Sequence, residues 1–216
     1  MDVEKAVANL AQRVERRFYG KYRGLVVDNH DPESLGRLTV RVPSVLGSEV
    51  VTGWAMPCVP YGGDPDQGFL CIPEPGAGVW VEFEEGALEF PIWVGTFWSK
   101  PGGDSELPKP NNADGSEQEK VQSPPTRKII KTRKGHTIQM EDKDHEEMIV
   151  IIQKIDEAKR NVITMDKEGI KITDAQGSFI EMKENAFNIF SKSPLKIDAS
   201  GQPIVMIGNT IDFNKG

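Results

Sequence analysis

Residues 161–190 read NVITMDKEGIKITDAQGSFIEMKENAFNIF, and this stretch decides the fold of the second half of the chain. Its apolar residues come in pairs two positions apart, such as Ile170 and Ile172, and turn-forming residues such as Gly177 lie between successive pairs. Residues spaced i and i+2 point to the same face of a β-strand, whereas a helix repeats every 3.6 residues. The spacing therefore predicts short strands joined by tight turns.

The same pattern extends over residues 127–216 and predicts about nine short strands. Each strand carries two apolar residues on one face and polar residues on the other. The pairs are Ile138 and Met140, Val150 and Ile152, Ile163 and Met165, Ile170 and Ile172, Ile180 and Met182, Phe187 and Ile189, Leu195 and Ile197, Val205 and Ile207, and Ile211 and Phe213.

So narrow an apolar stripe must be buried against another element, and two arrangements would do this. In the first, three identical chains wind about one axis and the first eight pairs, from Ile138 to Ile207, form the trimer core. In the second, the strands form an ordinary antiparallel sheet that packs on the first half of the same chain. Periodicity alone leaves both arrangements open.

Composition divides the chain into four parts and predicts an all-β protein. All four Trp and all three Tyr precede residue 99, while Pro, Gly, Asn, Ser and acidic residues dominate a later segment with few apolar side chains. An apolar stripe of Val3, Val7, Leu10 and Val14 predicts a short helix before the aromatic part. The predicted parts are an N-terminal helix at 1–17, a barrel at 18–100, a linker at 101–126 and a strand-rich tail at 127–216.

The aromatic part has the strand and turn pattern of a small barrel. A hairpin is predicted over residues 22–47, because Leu38 and Val40 alternate with polar residues after a turn rich in Asp, Asn, Pro and Gly. In the strand around Val81 and Phe83, these two side chains face inward and the acidic residues face solvent. Further short strands are predicted at 54–61, 68–76, 78–86 and 90–98, which together match the size of an OB-type barrel.

Charge, the first residues and the cysteines indicate which partners and which cellular compartment the chain would have. Residues 18–100 hold five Lys and Arg against eleven Asp and Glu, a net charge of −6, which disfavours a nucleic-acid partner. The chain starts with a charged segment and has no long apolar run, which predicts assembly in the cytoplasm without a signal peptide. Cys58 and Cys71 are expected to be a buried, reduced pair.

No catalytic or cofactor site is predicted. His136 and His145 lie among acidic residues and suggest a metal cluster at first sight, but their spacing fits no standard zinc or calcium loop. A charged turn facing solvent is the preferred interpretation. No Ser, His and Asp set or Cys and His set has a recognisable context, so we expect no enzyme activity and no cofactor.

Several motifs resemble those of one family in the family's order. They are GLVVDNHDPESLGRLTVRVP at 24–43, WAMPCVP at 54–60, GFLCIPEPGAGVWVEFE at 68–84 and PIWVGTFW at 91–98. These resemble the OB-fold domain of the phage baseplate assembly protein V and VgrG family, which forms central spikes of contractile tails. The segment GHTIQMEDKDHEEMIVI, residues 135–151, resembles the entry into that family's trimeric β-helix.

The resemblance implies a structural homotrimeric spike with an intertwined triple-stranded β-helix at its C-terminal end. It implies a baseplate hub protein at the N-terminal end and a target membrane on firing, and the basic run before residue 138 is most similar to spikes of extracellular contractile injection systems. The 26-residue linker at 101–126 is too short for the lysozyme domain that some phage spikes carry there.

The resemblance also implies a partner at the C-terminal tip. Self-capping spikes of the family end in paired histidines, and this chain has no His after His145. A blunt platform is therefore expected, capped by a small PAAR-like tip protein resting on Thr210, Ile211, Asp212 and Phe213. Two functions from other classes stay open, an OB-fold nucleic-acid-binding protein that uses its Trp residues and a cell-wall hydrolase.

Overall fold

The computed structural model describes residues 17–213. The chain divides into two compact units between Glu106 and Leu107. The predicted N-terminal helix, with Val3, Val7, Leu10 and Val14, lies outside the described residues.

The first unit is a small, mostly antiparallel barrel. Its elements are β1 (Tyr22–Asp28), β2 (Thr39–Arg41), a one-turn helix α1 (Pro43–Leu46), β3 (Met56–Pro57), β4 (Gly78–Phe83) and β5 (Pro91–Thr96), with 3₁₀ turns at Glu84–Gly86 and Pro101–Gly103. The strand order is β2-β1-β4-β5-β3, and β3 runs parallel to β5. Single bridges join Leu38 to Ala55 and Arg41 to Val51, so the segment leading into β3 pairs with β2 and closes the barrel.

The barrel core confirms the predicted alternation. Val40 and Val81 are fully buried and Phe83 is nearly so, while Glu82 between the last two lies on the opposite face. Apolar residues at every second position fill the interior because successive side chains of a strand point to opposite faces. The strand pattern of this half therefore follows directly from the sequence.

Two predictions about the barrel are wrong. No strand forms over residues 68–76, where Leu70 is 85% exposed. Pro73 and Pro75 cannot donate backbone hydrogen bonds, and a proline is confined to strand edges. The cysteines are also not buried, since Cys58 and Cys71 are both exposed free thiols.

The second unit is a seven-stranded antiparallel meander. Its strands are β6 (Arg127–Lys131), β7 (Thr137–Glu141), β8 (Met148–Lys154), β9 (Arg160–Asp166), β10 (Gly169–Thr173), β11 (Phe179–Lys183) and β12 (Ala186–Phe190). Each strand pairs with the next one along the chain, so the sheet order is the sequence order. The described residues are thus nearly all-β, with α1 as their one α-helix.

Part of the predicted linker packs on this sheet. We call residues 107–126 the outer segment, because it covers one face of the sheet, which we call the outer face. The fully buried Gln139 side chain makes two hydrogen bonds to the backbone of Asn111, accepting from its N–H at 2.8 Å and donating to its carbonyl oxygen at 2.9 Å. Thr164 donates a further hydrogen bond to the carbonyl of Ala113 at 2.7 Å. These bonds satisfy polar groups that burial would otherwise destabilise.

Candidate oligomer interface

The face of the seven-stranded sheet opposite to the outer segment is apolar, and we call it the inner face. Cross-strand pairing places its side chains in two columns that run across all seven strands. One column is made only of isoleucine: Ile130, Ile138, Ile151, Ile163, Ile172, Ile180 and Ile189. The other column contains Lys128, Met140, Ile149, Met165, Ile170, Met182 and Phe187.

The inner face is open in the single chain. Most of its apolar side chains are exposed, and Ile163 and Met165 are half-buried. Isolated exposed apolar residues are common on soluble proteins, but a continuous patch of this length marks an interaction surface. The columns therefore predict that another protein surface covers the inner face.

Strand β8 differs from the sequence prediction. Val150 and Ile152 were expected to share a face with the other pairs, but Val150 is fully buried on the outer face. Ile149 and Ile151 take their place on the inner face, where Ile151 pairs with Ile138 on one side and Ile163 on the other. The run Met148 to Ile152 is apolar at every position, so periodicity alone could not choose between the two faces.

The outer face is held by a buried ion pair at the start of the sheet. The fully buried Glu141 carboxylate pairs with the Arg127 guanidinium and accepts hydrogen bonds from Thr126, from Gln122 at 3.0 Å and from the backbone N–H of Lys143 at 3.0 Å. Burial raises the pKa of Glu141, but the hydrogen bonds, first from Thr126 and Arg127, outweigh burial and lower the pKa to about 2. The carboxylate is therefore charged at neutral pH and anchors the outer segment.

The last three predicted pairs form no strand within the single chain. Leu195 and Ile197, Val205 and Ile207, and Ile211 and Phe213 all lie after β12, in a part of residues 191–213 without strands. Their side chains are exposed, and Ile207 is 94% exposed. The proposed tip-binding residues Thr210 to Phe213 lie in this stretch. The segment has the alternating pattern of strands but finds no neighbouring strand in its own chain.

The other candidate residues are not brought together. His136 and His145 lie in different turns of the second unit, and residues 17–213 hold no group of three or more His, Cys, Asp or Glu side chains suited to a metal ion. The four barrel Trp do not share one surface, since Trp93 is buried and donates to the carbonyl of Gly36 at 3.1 Å. Trp80 packs against Phe97, with ring centroids 5.2 Å apart.

A barrel followed by a sheet with one open apolar face is the arrangement of a protein that has a surface for association on that sheet. Comparison with protein families agrees. Residues 22–98 match the type VI secretion system and phage-baseplate injector OB domain. Residues 128–216 match the phage baseplate V C-terminal trimerisation domain. Together the two matches cover more than half of the sequence, and the chain belongs to the phage baseplate V family of spike proteins. No curated protein matches the chain.

The family fixes a coarse function. Both matched domains are structural parts of a baseplate, so the chain has a spike-like structural role in a phage tail or a related tail-like assembly. The trimerisation domain supports a homotrimer. No helix within residues 17–213 is both long enough and apolar enough to cross a membrane.

Proposed function

We propose that the chain forms the homotrimeric central spike of a contractile injection system and links a baseplate hub to a membrane-piercing tip. Three copies place their inner faces around one threefold axis, so that the two columns of each sheet form a shared core. The observation that carries the proposal is the open inner face, whose apolar side chains continue without interruption over seven strands.

The outer segment supports this orientation. Because residues 107–126 already cover the outer face of β7 to β9, with Val150 fully buried beneath them, the inner face is the open apolar side of these strands. The sheet therefore has one free apolar side, as a three-sided prism requires. A sheet that packed on its own barrel would leave no reason for a trimerisation domain.

We further propose that residues 191–213 pair between chains. The free edge of β12 offers unpaired backbone groups, and an exposed sheet edge readily accepts another strand. A segment that passes from one copy to the edge of the next would pair Leu195 and Ile197 with a neighbour and bury Val205 and Ile207. This exchange would form the intertwined β-helix at the narrow end of the spike.

The two ends of the spike would then bind different partners. The barrel end would dock on the hub, and the end at Thr210 to Phe213 would form a blunt apolar platform for a PAAR-like tip protein. Phe213 is strongly exposed in the single chain, which suits a residue that a cap covers. Removal of residues 208–216 is expected to abolish binding of a purified PAAR-like protein without releasing the barrel from the hub.

The mass of the purified protein in solution tests the proposal. We expect three chains by sedimentation velocity or mass photometry. Ile172→Asp should abolish the trimer, because each buried unpaired charge costs several kcal/mol and the axis would hold three at one level. The matched control is Thr173→Asp, which adds the same carboxylate one residue later on the outer face. A wild-type monomer, or a stable trimer of Ile172→Asp, would refute the proposal.

A further inference from the structure

We propose that the two sides of the seven-stranded sheet on which the strands end and the turns lie are complementary docking surfaces. We call these sides the lateral edges. One is acidic and the other basic, and the acidic edge of each copy binds the basic edge of the next copy. The inference rests on the proposed trimer and deepens it, because it names the surfaces that meet. A ring of three identical chains has heterologous contacts, in which one surface of a subunit meets a different surface of its neighbour. Two unlike edges are what such a ring requires.

The meander sorts the turns onto the two edges. Because every strand is antiparallel to the next, successive turns lie at opposite edges of the sheet. The β7–β8, β9–β10 and β11–β12 turns lie on one edge, and the β6–β7, β8–β9 and β10–β11 turns lie on the other.

The two edges carry opposite charge. Counted with the flanking strand residue on each side, the first edge comprises residues 141–148, 166–169 and 183–186, with eight Asp and Glu against three Lys, a net charge of −5. The second edge comprises residues 131–137, 154–160 and 173–179, with six Lys and Arg against three Asp and Glu, a net charge of +3. We call these the acidic edge and the basic edge.

Pairing within the chain does not consume all of this charge. On the acidic edge, Glu141 pairs with Arg127, Asp142 with Lys128 and Glu146 with Lys143, whereas Asp144 and Glu147 are exposed and form no ion pair within the described residues. On the basic edge, Lys131 pairs with Glu117 and Lys154 with Glu157. The exposed Lys159 of this edge forms no ion pair in this part of the chain. These charges remain available to a neighbouring copy.

The strongest charges lie at matching levels of the sheet. The β7–β8 turn holds most of the acidic charge, and in the sheet order it falls between the β6–β7 turn and the β8–β9 turn of the opposite edge. In a threefold ring of level sheets, the acidic turn of one copy therefore lies between the two net basic turns of the next. The turns of the two edges would therefore fit between one another, and their opposite charges would attract.

The acidic edge also has a shape that suits a lysine side chain. A shallow groove of about 610 Å³ lies at this edge, and its lining combines inner-face side chains such as Met140 and Ile149 with the carboxylates of Asp142 and Glu147. Lys and Arg side chains pack their apolar stems on such a surface and hold the charged group at its polar rim. Lys134 or Lys159 of the next copy could place its apolar stem on this surface and its ammonium group beside the carboxylates.

Charge reversal tests the proposal on the full-length chain. We expect Asp144→Lys with Glu147→Lys to weaken the trimer about 10-fold at low salt, because exposed ion pairs contribute modestly and three interfaces change together. Lys134→Glu with Lys159→Glu should have the same effect. The four-site variant restores opposite edges and should return the dissociation constant to within about 3-fold of wild type. Lys100→Glu, at an exposed site of the first unit where the lysine forms no ion pair within the described residues, is the control.

Sedimentation velocity over a dilution series, at low and at high NaCl, measures these effects. Wild-type association should weaken as salt rises, since screening acts on exposed charges, and this readout does not depend on any variant folding. Three results would overturn the edge contacts while leaving the trimer in place. They are single-edge variants with the wild-type dissociation constant, a four-site variant that dissociates more readily than either double variant, and wild-type association that does not change with salt. A wild-type protein that stays monomeric would instead defeat the proposed trimer itself.

Discussion

Truncation of Ile172 is expected to weaken the trimer, in addition to the stability that the single chain loses with the part of the side chain it already buries. Ile172 lies in the middle of the isoleucine column, where it pairs with Ile163 and Ile180. Its side chain is 43% exposed in the single chain. If the trimer buries it, the energy that depends on assembly comes from this exposed fraction.

The magnitude follows from area. Full burial of an isoleucine side chain stabilises by about 1.5–3 kcal/mol, so 43% of it corresponds to about 0.6–1.3 kcal/mol per chain. Three symmetric copies give about 2–4 kcal/mol per trimer, and alanine retains a small part of this. Since about 1.4 kcal/mol is a factor of ten, Ile172→Ala should raise the trimer dissociation constant by one to three orders of magnitude.

Sedimentation equilibrium over a dilution series, in a fixed concentration of urea that brings dissociation into range, provides the assay. Thr173→Ala is the matched control, because it shortens a side chain of the same strand on the outer face. The reasoning is refuted if the two alanine variants dissociate alike, or if Ile172→Ala unfolds the chain at protein concentrations where the trimer is intact.

Three further predictions concern single units. Gln139→Leu should lower the stability of the second unit by about 2 kcal/mol in urea unfolding, because it leaves the Asn111 backbone groups unpaired, whereas Gln176→Leu in an exposed turn should not. The pKa of Glu141 is lower in the folded protein, so its contribution is present above about pH 4.5 and is lost as pH falls toward about 2; Glu141→Gln should flatten that part of the pH profile. Asp31→Ala should destabilise the barrel alone, because the Asp31 carboxylate accepts from the Arg37 guanidinium and from the backbone N–H of Leu35, and thermal unfolding should show this loss with the trimer mass unchanged.

The strands β1, β2, β4 and β5 of the barrel and β7 to β12 of the sheet were predictable from the sequence, whereas the strands predicted at 68–76 and after β12 do not form. In strands such as β10, with Ile170 and Ile172, polar and apolar residues alternate, so hydrophobic burial and the period of the strand agree on one face. The open inner face of β7 and of β9 to β12 follows from the same alternation. In β8 every position is apolar, and the choice of face was made by the neighbouring strands and by the outer segment that covers Val150.

The packing of the outer segment on the sheet could not be predicted from the sequence for a different reason. Residues 107–126 have the composition of a linker, and Asn111 carries no periodic signal. It is placed by hydrogen bonds from side chains that are distant in sequence, such as Gln139, which is 28 residues away. Composition reports how much apolar surface a segment can bury, but not which polar partners the fold brings to it.

The sequence by itself determined which segments alternate polar and apolar residues, where most turns fall, and that these segments carry more apolar surface than one copy buries. Only the tertiary structure decided which face of the sheet stays open and which strands find partners. Val205 and Ile207 have the alternation of a strand, yet they form none within the chain. The physical reason is that alternation is a property of one segment, whereas a strand exists only when a second backbone supplies its hydrogen bonds.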